Sequence, residues 1–346
     1  MTGRKVRMRM GVVALVASTL AAGCALALAS ADPAAAATLD KLSDRTHKVN
    51  LLGRLGYHPK LVFFGGSRSM RLEPLYARER WGLRGFNAAV QGNEHEDVWA
   101  LFHHMVRRAP DHEKYVVWGI QPGGFFANAT FDVGLLRDRR LKRYFSSDVR
   151  AAQGDGLVHR WAKRRYVRDG AVVYDDFDRA VEAGRTLTES LDAYIRRALR
   201  TRSTADTIPE KVTRTRRYFE KTLTYMNAHG CEPLLIIMPV HPRVIRAVRD
   251  EHWDNRRASF AAYLAGLQET HRFTVLDFTF IESFGGDPGA FYDGVHMKKA
   301  NLRRLLRAAV RQAPWAFGRA PAPWDEPAPE PSPTPTPTSS PSVSAS

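Results

Sequence analysis

Short apolar runs of strand length alternate along this chain with amphipathic stretches of helical period, and that alternation limits the fold more than any other feature. Leu61-Val62-Phe63-Phe64 is the first expected strand and Gly85 to Val90 the second. Residues 94 to 108 set Val98, Leu101, Phe102 and Met105 at helical spacing, and Tyr115-Val116-Val117-Trp118-Gly119-Ile120 follows as a third strand. The order then resumes with a helix from about Pro209 to Ala228, a strand at 234–238, a helix near Arg256 to Thr270, a strand from Phe273 to Phe278 and a last helix from Lys298 to about Gln312. Helices between successive strands imply parallel pairing, so the expected class is α/β: a doubly wound three-layer α/β/α sandwich on a five-stranded parallel sheet. Ligand sites in such sheets lie beyond the C-terminal ends of the strands.

Both ends fall outside this pattern. Arg4, Lys5, Arg7 and Arg9 precede an almost uncharged apolar run from Gly11 to Ala31, with Ala35-Ala36-Ala37 as a small-residue cleavage site, so residues 1–37 read as an export signal or a retained signal anchor. A lipid-anchored N-terminus at Cys24 is a third version, because Leu20-Ala21-Ala22-Gly23-Cys24 resembles a bacterial lipobox with Ala21 in place of the usual Leu. All three put the folded part, residues 38–319, outside the cytoplasm, secreted or at the cell surface. Residues 320–346 are rich in Pro, Ser and Thr and cannot bury apolar surface; they are expected to form a disordered tail, either a cell-wall spacer or a solvated end with no role.

The formal charge is +16; residues 1–37 hold four basic residues and the acid Asp32, so +13 remains after their removal. An exported domain this basic is drawn to anionic surface polymers or lipid headgroups, although an Arg-rich composition alone has the same arithmetic. No compact basic-aromatic module points to nucleic acid. Cys231 is left without an intramolecular partner once Cys24 is gone, and it reads as a buried, inert thiol. No Cys/His cluster has zinc spacing and no glycine fingerprint indicates a nucleotide, so neither metal nor cofactor is expected.

Residues from about 122 to 207 interrupt the alternation with a polar, Arg- and Tyr-rich insertion that includes Arg164-Arg165-Tyr166 and Tyr174-Asp175-Asp176-Phe177-Asp178. A stretch of that length between core elements is expected to be a lid, a substrate-binding excursion or a small subdomain. Asn128-Ala129-Thr130 matches a glycosylation sequon at the level of chance.

Two places carry chemistry. After the first strand, Gly65-Gly66-Ser67-Arg68-Ser69 can present the Ser67 hydroxyl at the N-terminus of a following helix, where free N–H groups favour developing negative charge. The same residues also describe an ordinary turn with a helix cap, and a phosphate loop would need a Lys-Ser/Thr ending that is missing. After the last strand, Phe291-Tyr292-Asp293-Gly294-Val295-His296 sets a carboxylate three residues before an imidazole, so that Asp293 can hold one ring nitrogen of His296 while the other faces a serine. A buried His satisfied by a local Asp is the structural alternative.

Ser67 after the first strand together with Asp293-x-x-His296 after the last resembles the SGNH/GDSL hydrolase superfamily over roughly residues 58 to 312. The resemblance implies a flavodoxin-like sandwich of the SGNH type with Ser67, Asp293 and His296 as catalytic residues. It also implies an oxyanion site built from the Ser67 amide, Gly92 in Asn87-Ala88-Ala89-Val90-Gln91-Gly92, and a side-chain amide after the third strand. There the chain departs from the usual Gly-x-Asn and reads Gly119-Ile120-Gln121, so Gln121 stands in the donor position. Gly-Gly-Ser-Arg also replaces Gly-Asp-Ser. Arg68, with Met238-Pro239-Val240-His241-Pro242 after the fourth strand, looks more like exported SGNH proteins acting on cell-surface polysaccharides than like secreted lipases.

The implied function is therefore a serine-dependent esterase or O-acyltransferase on acyl esters, foremost acetyl, of an extracellular or cell-envelope carbohydrate, with Arg68 and His241 as substrate-binding candidates; a structural turn flanked by prolines is the alternative for His241. The alternative from another class is a non-catalytic carbohydrate-binding or assembly protein on the same fold, and a lipase would want a less polar insertion. His103 and His104 are adjacent on a helix and point to different sides, against a shared metal. His95, among Glu94, Glu96 and Asp97, reads as part of an acidic helix start.

Overall fold

A computed structural model describes residues 43–92, 95–111, 114–126, 134–146, 165–173, 186–201, 205–210 and 212–318. The expected signal, the Pro/Ser/Thr-rich tail, Cys24, the sequon at Asn128 and the run Tyr174 to Asp178 lie outside the described residues. Among the described residues no helix is long and apolar enough to cross a membrane.

The main sheet comprises β1 (Leu61–Gly65), β2 (Gly85–Asn87), β3 (Tyr115–Ile120), β4 (Leu234–Ile237) and β5 (Thr274–Asp277), all parallel, in the order β2-β1-β3-β4-β5. Side chains alternate along each strand, and each of the three inner strands is apolar on both faces. Val62 and Phe64 of β1, Trp118 of β3 and Leu235 of β4 meet helices α1 (Asp44–Gly53), α3 (His95–Arg108), α5 (Arg214–Ala228) and α7 (Glu251–Gln268). Leu61, Phe63, Val117 and Ile236 meet α2 (Pro74–Trp81) and α8 (Lys299–Gln312) on the other face. Two further helices, α4 (Leu187–Arg200) and α6 (Pro242–Val248), lie near the C-terminal ends of the strands, joined by an Asp192–Arg243 ion pair at 2.6 Å. This is the expected three-layer sandwich, with its order reversing between β1 and β3.

Several boundaries differ from the periodicity for local reasons. The second strand stops at Asn87 because its side-chain oxygen accepts from the Ala89 amide at 3.0 Å and turns the chain, while Ala88 and Val90 still donate to β1 through Phe63 and Gly65. α5 begins at Arg214, capped by Thr213, later than the apolar pattern starts. α7 begins at Glu251, earlier than expected, where the Asp250 side chain accepts from the Trp253 amide. α1 was not legible as an amphipathic pattern, since its buried face includes two cations. Arg45 makes a two-point pair with Asp97 of α3 at 2.8 Å for each contact, and the Lys48 ammonium donates to the carbonyls of Asn87 (2.8 Å) and Gly170.

Besides short helical turns at Gly123–Phe126, Gly134–Arg137 and Arg139–Lys142, the insertion contributes two described pieces to this frame. A short antiparallel hairpin pairs Arg165–Tyr166 with Val172–Val173 and lies against the turn after β1 and the end of β2, with Val172 N donating to Met70 O at 3.0 Å and Asn87 N donating to Asp169 O at 2.8 Å. The second piece is α4.

β1 and β3 approach closely where Gly65 pairs with Gly119. A Cβ on Gly65, whose φ is +133°, would sit 2.5 Å from Ser69 Oγ and 2.7 Å from the Gly119 carbonyl oxygen, and a Cβ on Gly119 would overlap the same hydroxyl. Gly65→Ala combines backbone strain with a backbone clash, so it is expected to cost about 3 kcal/mol of stability. The check is urea unfolding, with the midpoint lowered at unchanged slope.

Candidate active site

Ser67 follows β1 in a run of tight turns: Ser69 N donates to Gly66 O at 2.9 Å and Leu72 N to Ser69 O at 3.0 Å. The helix expected directly behind Ser67 starts only at Pro74. The carbonyls a helix would use are otherwise engaged. Asn87 Nδ2 donates to Ser69 O (2.9 Å) and Leu72 O (2.8 Å), Met70 O accepts from the hairpin, and Pro74 has no N–H with which to close a helical turn onto it. Ser67 thus sits in a clamped turn, not at a helix N-terminus.

Asp293 and His296 sit in a loop closed by an isolated bridge between Phe291 and Met297. Asp293 Oδ1 accepts from the amides of Val295 and His296, both at 2.8 Å, and Oδ2 faces His296 Nδ1 at 2.8 Å. With Nδ1–H donated to the carboxylate, Nε2 carries the lone pair and accepts from Ser67 Oγ at 2.9 Å. Burial pushes the Asp293 carboxyl up, but the hydrogen bonds and charge of His296 and the two amides outweigh it and hold the group below its ordinary range. The structure therefore brings Ser67, His296 and Asp293 into one relay across 229 residues of sequence.

A cavity of about 450 Å³ opens at Ser67 and Arg68 and takes in Gln121, directly after β3. Gly92 is not among its lining residues; its carbonyl accepts from Arg45 at 3.4 Å, so of the three expected oxyanion positions the cavity unites Ser67 and Gln121. Arg68 also reaches the Tyr194 hydroxyl of α4 and lies near Asp293; burial lowers its affinity for the proton and these two neighbours partly restore it.

Of the two readings of His241, pocket residue or structural turn, the structure bears out the turn and corrects the substrate-binding one. It is 6% exposed, its Nδ1 accepts from Arg243 N at 3.1 Å as the cap of α6, and its Nε2 donates to Pro288 O at 3.1 Å. Its backbone N–H donates to Gly294 O at 2.9 Å. It braces the Asp293 loop and lies outside the cavity lining. His95 is a second correction. The acids beside it are spent on buried ion pairs, Glu96 with Arg214 at 2.6 Å and Asp97 with Arg45, and the His95 ring is enclosed by Trp118, Phe125 and Phe219 and lines the cavity. Its Nδ1 donates to Thr215 O at 3.0 Å, and burial lowers its pKa to about 4.

His103 and His104 are half-buried and point apart as expected, His103 stacking on Tyr225 with centroids 3.5 Å apart. Cys231 is buried with its thiol pushed up to about 12, consistent with an unreactive side chain. Among the described residues no group of three or more His, Cys, Asp or Glu is placed to hold a metal.

Tyr194 had no signal in the sequence, but the glycine it demands was visible. A Cβ on Gly294 would sit 2.5 Å from the Tyr194 ring and 2.8 Å from Val244 Cγ2, so the Asp-Gly-x-His spacing is read by α4 and α6 from outside.

No known protein-family pattern matches the sequence, and no curated protein does. Among solved structures, the chain is similar to a protein assigned as an acylhydrolase from Bacteroides fragilis (12% identity, 77% of this chain and 94% of that one, TM-score 0.37). It is similar also to one assigned as a platelet activating factor from Streptococcus pneumonia (12%, 78% and 90%, 0.38) and to a GDSL-like lipase from Bacteroides thetaiotaomicron (11%, 78% and 99%, 0.36). At these values the likeness adds nothing to what the strand order already shows.

Two measurements check this geometry. Gly294→Ala is expected to displace the Asp293 loop from Tyr194 and cost about 2 kcal/mol, read as a lowered melting temperature. For His95 the folded pKa lies below the unfolded one, so the unfolded chain binds the extra proton and stability is lost as pH falls from about 6.5 to about 4. That loss is worth roughly 3 kcal/mol. His95→Phe is expected to flatten the pH dependence of unfolding in that window by up to one proton.

Proposed function

We propose that the chain is a serine-dependent esterase or O-acyltransferase of the SGNH/GDSL type, exported, and acting on acyl esters, foremost acetyl, of an extracellular or cell-envelope carbohydrate. The observation that carries the reading is the unbroken relay from Ser67 Oγ through His296 to Asp293 at the C-terminal edge of the sheet. His296 Nε2 takes the Ser67 proton as Oγ attacks the ester carbonyl; the tetrahedral oxyanion is met by the Ser67 amide and Gln121. Collapse expels the alcohol, which takes the proton from His296 and leaves an acyl-serine. Water attacking that acyl group gives hydrolysis, and a sugar hydroxyl gives transfer. Asp293, held ionised by its neighbours, stabilises the imidazolium in both steps.

The carbohydrate and envelope parts of this reading are supported by the basic N-terminal apolar run, the Pro/Ser/Thr tail and the positive charge of the chain. A binding role without chemistry would not need the three-residue relay, so the relay favours catalysis over the binding alternative.

Release of p-nitrophenol from short-chain esters tests the reading. Ser67→Ala and His296→Ala are each expected to lose roughly 10³-fold or more in kcat/KM while remaining folded. Equal rates for wild type and Ser67→Ala would sink it. A sugar acceptor that speeds p-nitrophenol release and becomes acylated identifies a transferase; release at an unchanged rate with free acid as product identifies an esterase.

A further inference from the structure

The turn that holds Ser67 and the loop that holds Asp293 and His296 come from opposite ends of the folded chain, yet the relay requires them in register. Arg71 of the turn sets its guanidinium 4.5 Å from the ring centroid of Tyr292 in the loop. A third element touches both. The ring of Tyr194 on α4 packs so tightly on Gly294, next to Asp293, that a Cβ there would sit 2.5 Å from its Cδ1 and 2.7 Å from its Cγ. The Tyr194 hydroxyl meets the guanidinium of Arg68, the residue after Ser67, which lines the cavity.

α4 is itself held in place. Thr186 and Glu189 close a capping box at its start, Leu191 is buried, and Asp192 pairs with Arg243 of α6 at 2.6 Å. The His241 cap of α6 donates its N–H to Gly294 O at 2.9 Å, so the two helices grip the same glycine by its Cα and by its carbonyl.

Arg68 stands between a neutral partner and a charged one, since it meets the Tyr194 hydroxyl and also feels the charge of Asp293. A guanidinium binds a carboxylate more strongly than a phenol, through charge-assisted and often paired hydrogen bonds. Asp293 Oδ1 already accepts from two amides, and Oδ2, facing His296 Nδ1, has a second lone pair that such a donor can use. A carboxylate shared with an arginine leaves less negative charge to stabilise the imidazolium that forms when His296 takes the serine proton.

We propose that Tyr194 is a positioning residue: its ring sets the Asp293–His296 loop, and its hydroxyl holds Arg68 off Asp293 so that the carboxylate serves His296 alone. The catalytic consequence rests on the function proposed above; the position of Arg68 does not.

Tyr194→Phe tests the hydroxyl while keeping the ring on Gly294. In crystal structures of the protein and of this variant, the Arg68 guanidinium is expected to move onto Asp293 in the variant, with an N···O distance of about 2.8 Å. On p-nitrophenyl acetate the variant is expected to lose about tenfold in kcat with KM within about twofold. In an Arg68→Gln background the same Tyr194→Phe change is expected to cost less than about twofold, because no guanidinium is left to compete. A loss of packing alone would not be relieved in this way. An Arg68 side chain that stays in place, unchanged kcat, or a loss equally large in the Arg68→Gln background overturns the proposal. Turnover that is indifferent to Tyr194→Phe leaves the ester chemistry and removes the positioning role; Arg68 moving onto Asp293 in a protein without turnover leaves the hold on Arg68 and removes the ester chemistry.

Discussion

The contact on which the site depends is the fit of one serine hydroxyl into the gap between two strands. Ser69 is fully buried where Gly65 of β1 faces Gly119 of β3, and neither position has room for a methyl group. That fit sets the path of the turn holding Ser67, and Asn87 locks it by donating to two of its carbonyls. The strand order reverses between the same two strands, so the turn lies at the crevice that a doubly wound sheet leaves open. His296 needs only to reach that crevice from the last loop, and the amides and carboxylate around it fix its direction before any substrate arrives.

The inner strands were legible because each is a continuous apolar run buried on both faces, and Tyr115–Ile120 matches its expected span. Ser67, Asp293 and His296 were legible because each follows a strand and the latter two share one short turn. What escaped the sequence depends on partners distant in the chain. His95 looked like part of an acidic helix start because Arg45 and Arg214, which claim its acidic neighbours, lie far away in sequence. His241 read equally as a pocket residue or a structural turn because it follows a strand and is flanked by prolines; its ring is consumed by a helix cap and the Pro288 carbonyl. Tyr194 acquires meaning only from the helix that carries it to the site.

The positive charge of the chain is likewise not one property. Arg45 and Lys48 are internal fasteners, fully desolvated and held by a carboxylate or by carbonyls, where loss of one partner would strand the other. Lys299 and Arg303 share Glu73 at the surface, where salt and water leave such pairs worth little. At the cavity, Arg257 is partly exposed and is held between Asp277, Trp253 and Phe280.

The hairpin at 165–173 gives the chain a particular history. Its strands are two residues each, yet Val172 and Asp169 hold the turn after Ser67 and the end of β2, and the ammonium of Lys48 ties the hairpin to α1. These contacts span about a hundred residues, and the relay spans more than twice that. Contacts so distant in sequence form late, after much loop entropy has been lost. Ser67, His296 and Asp293 therefore come together only when nearly the whole polypeptide has folded.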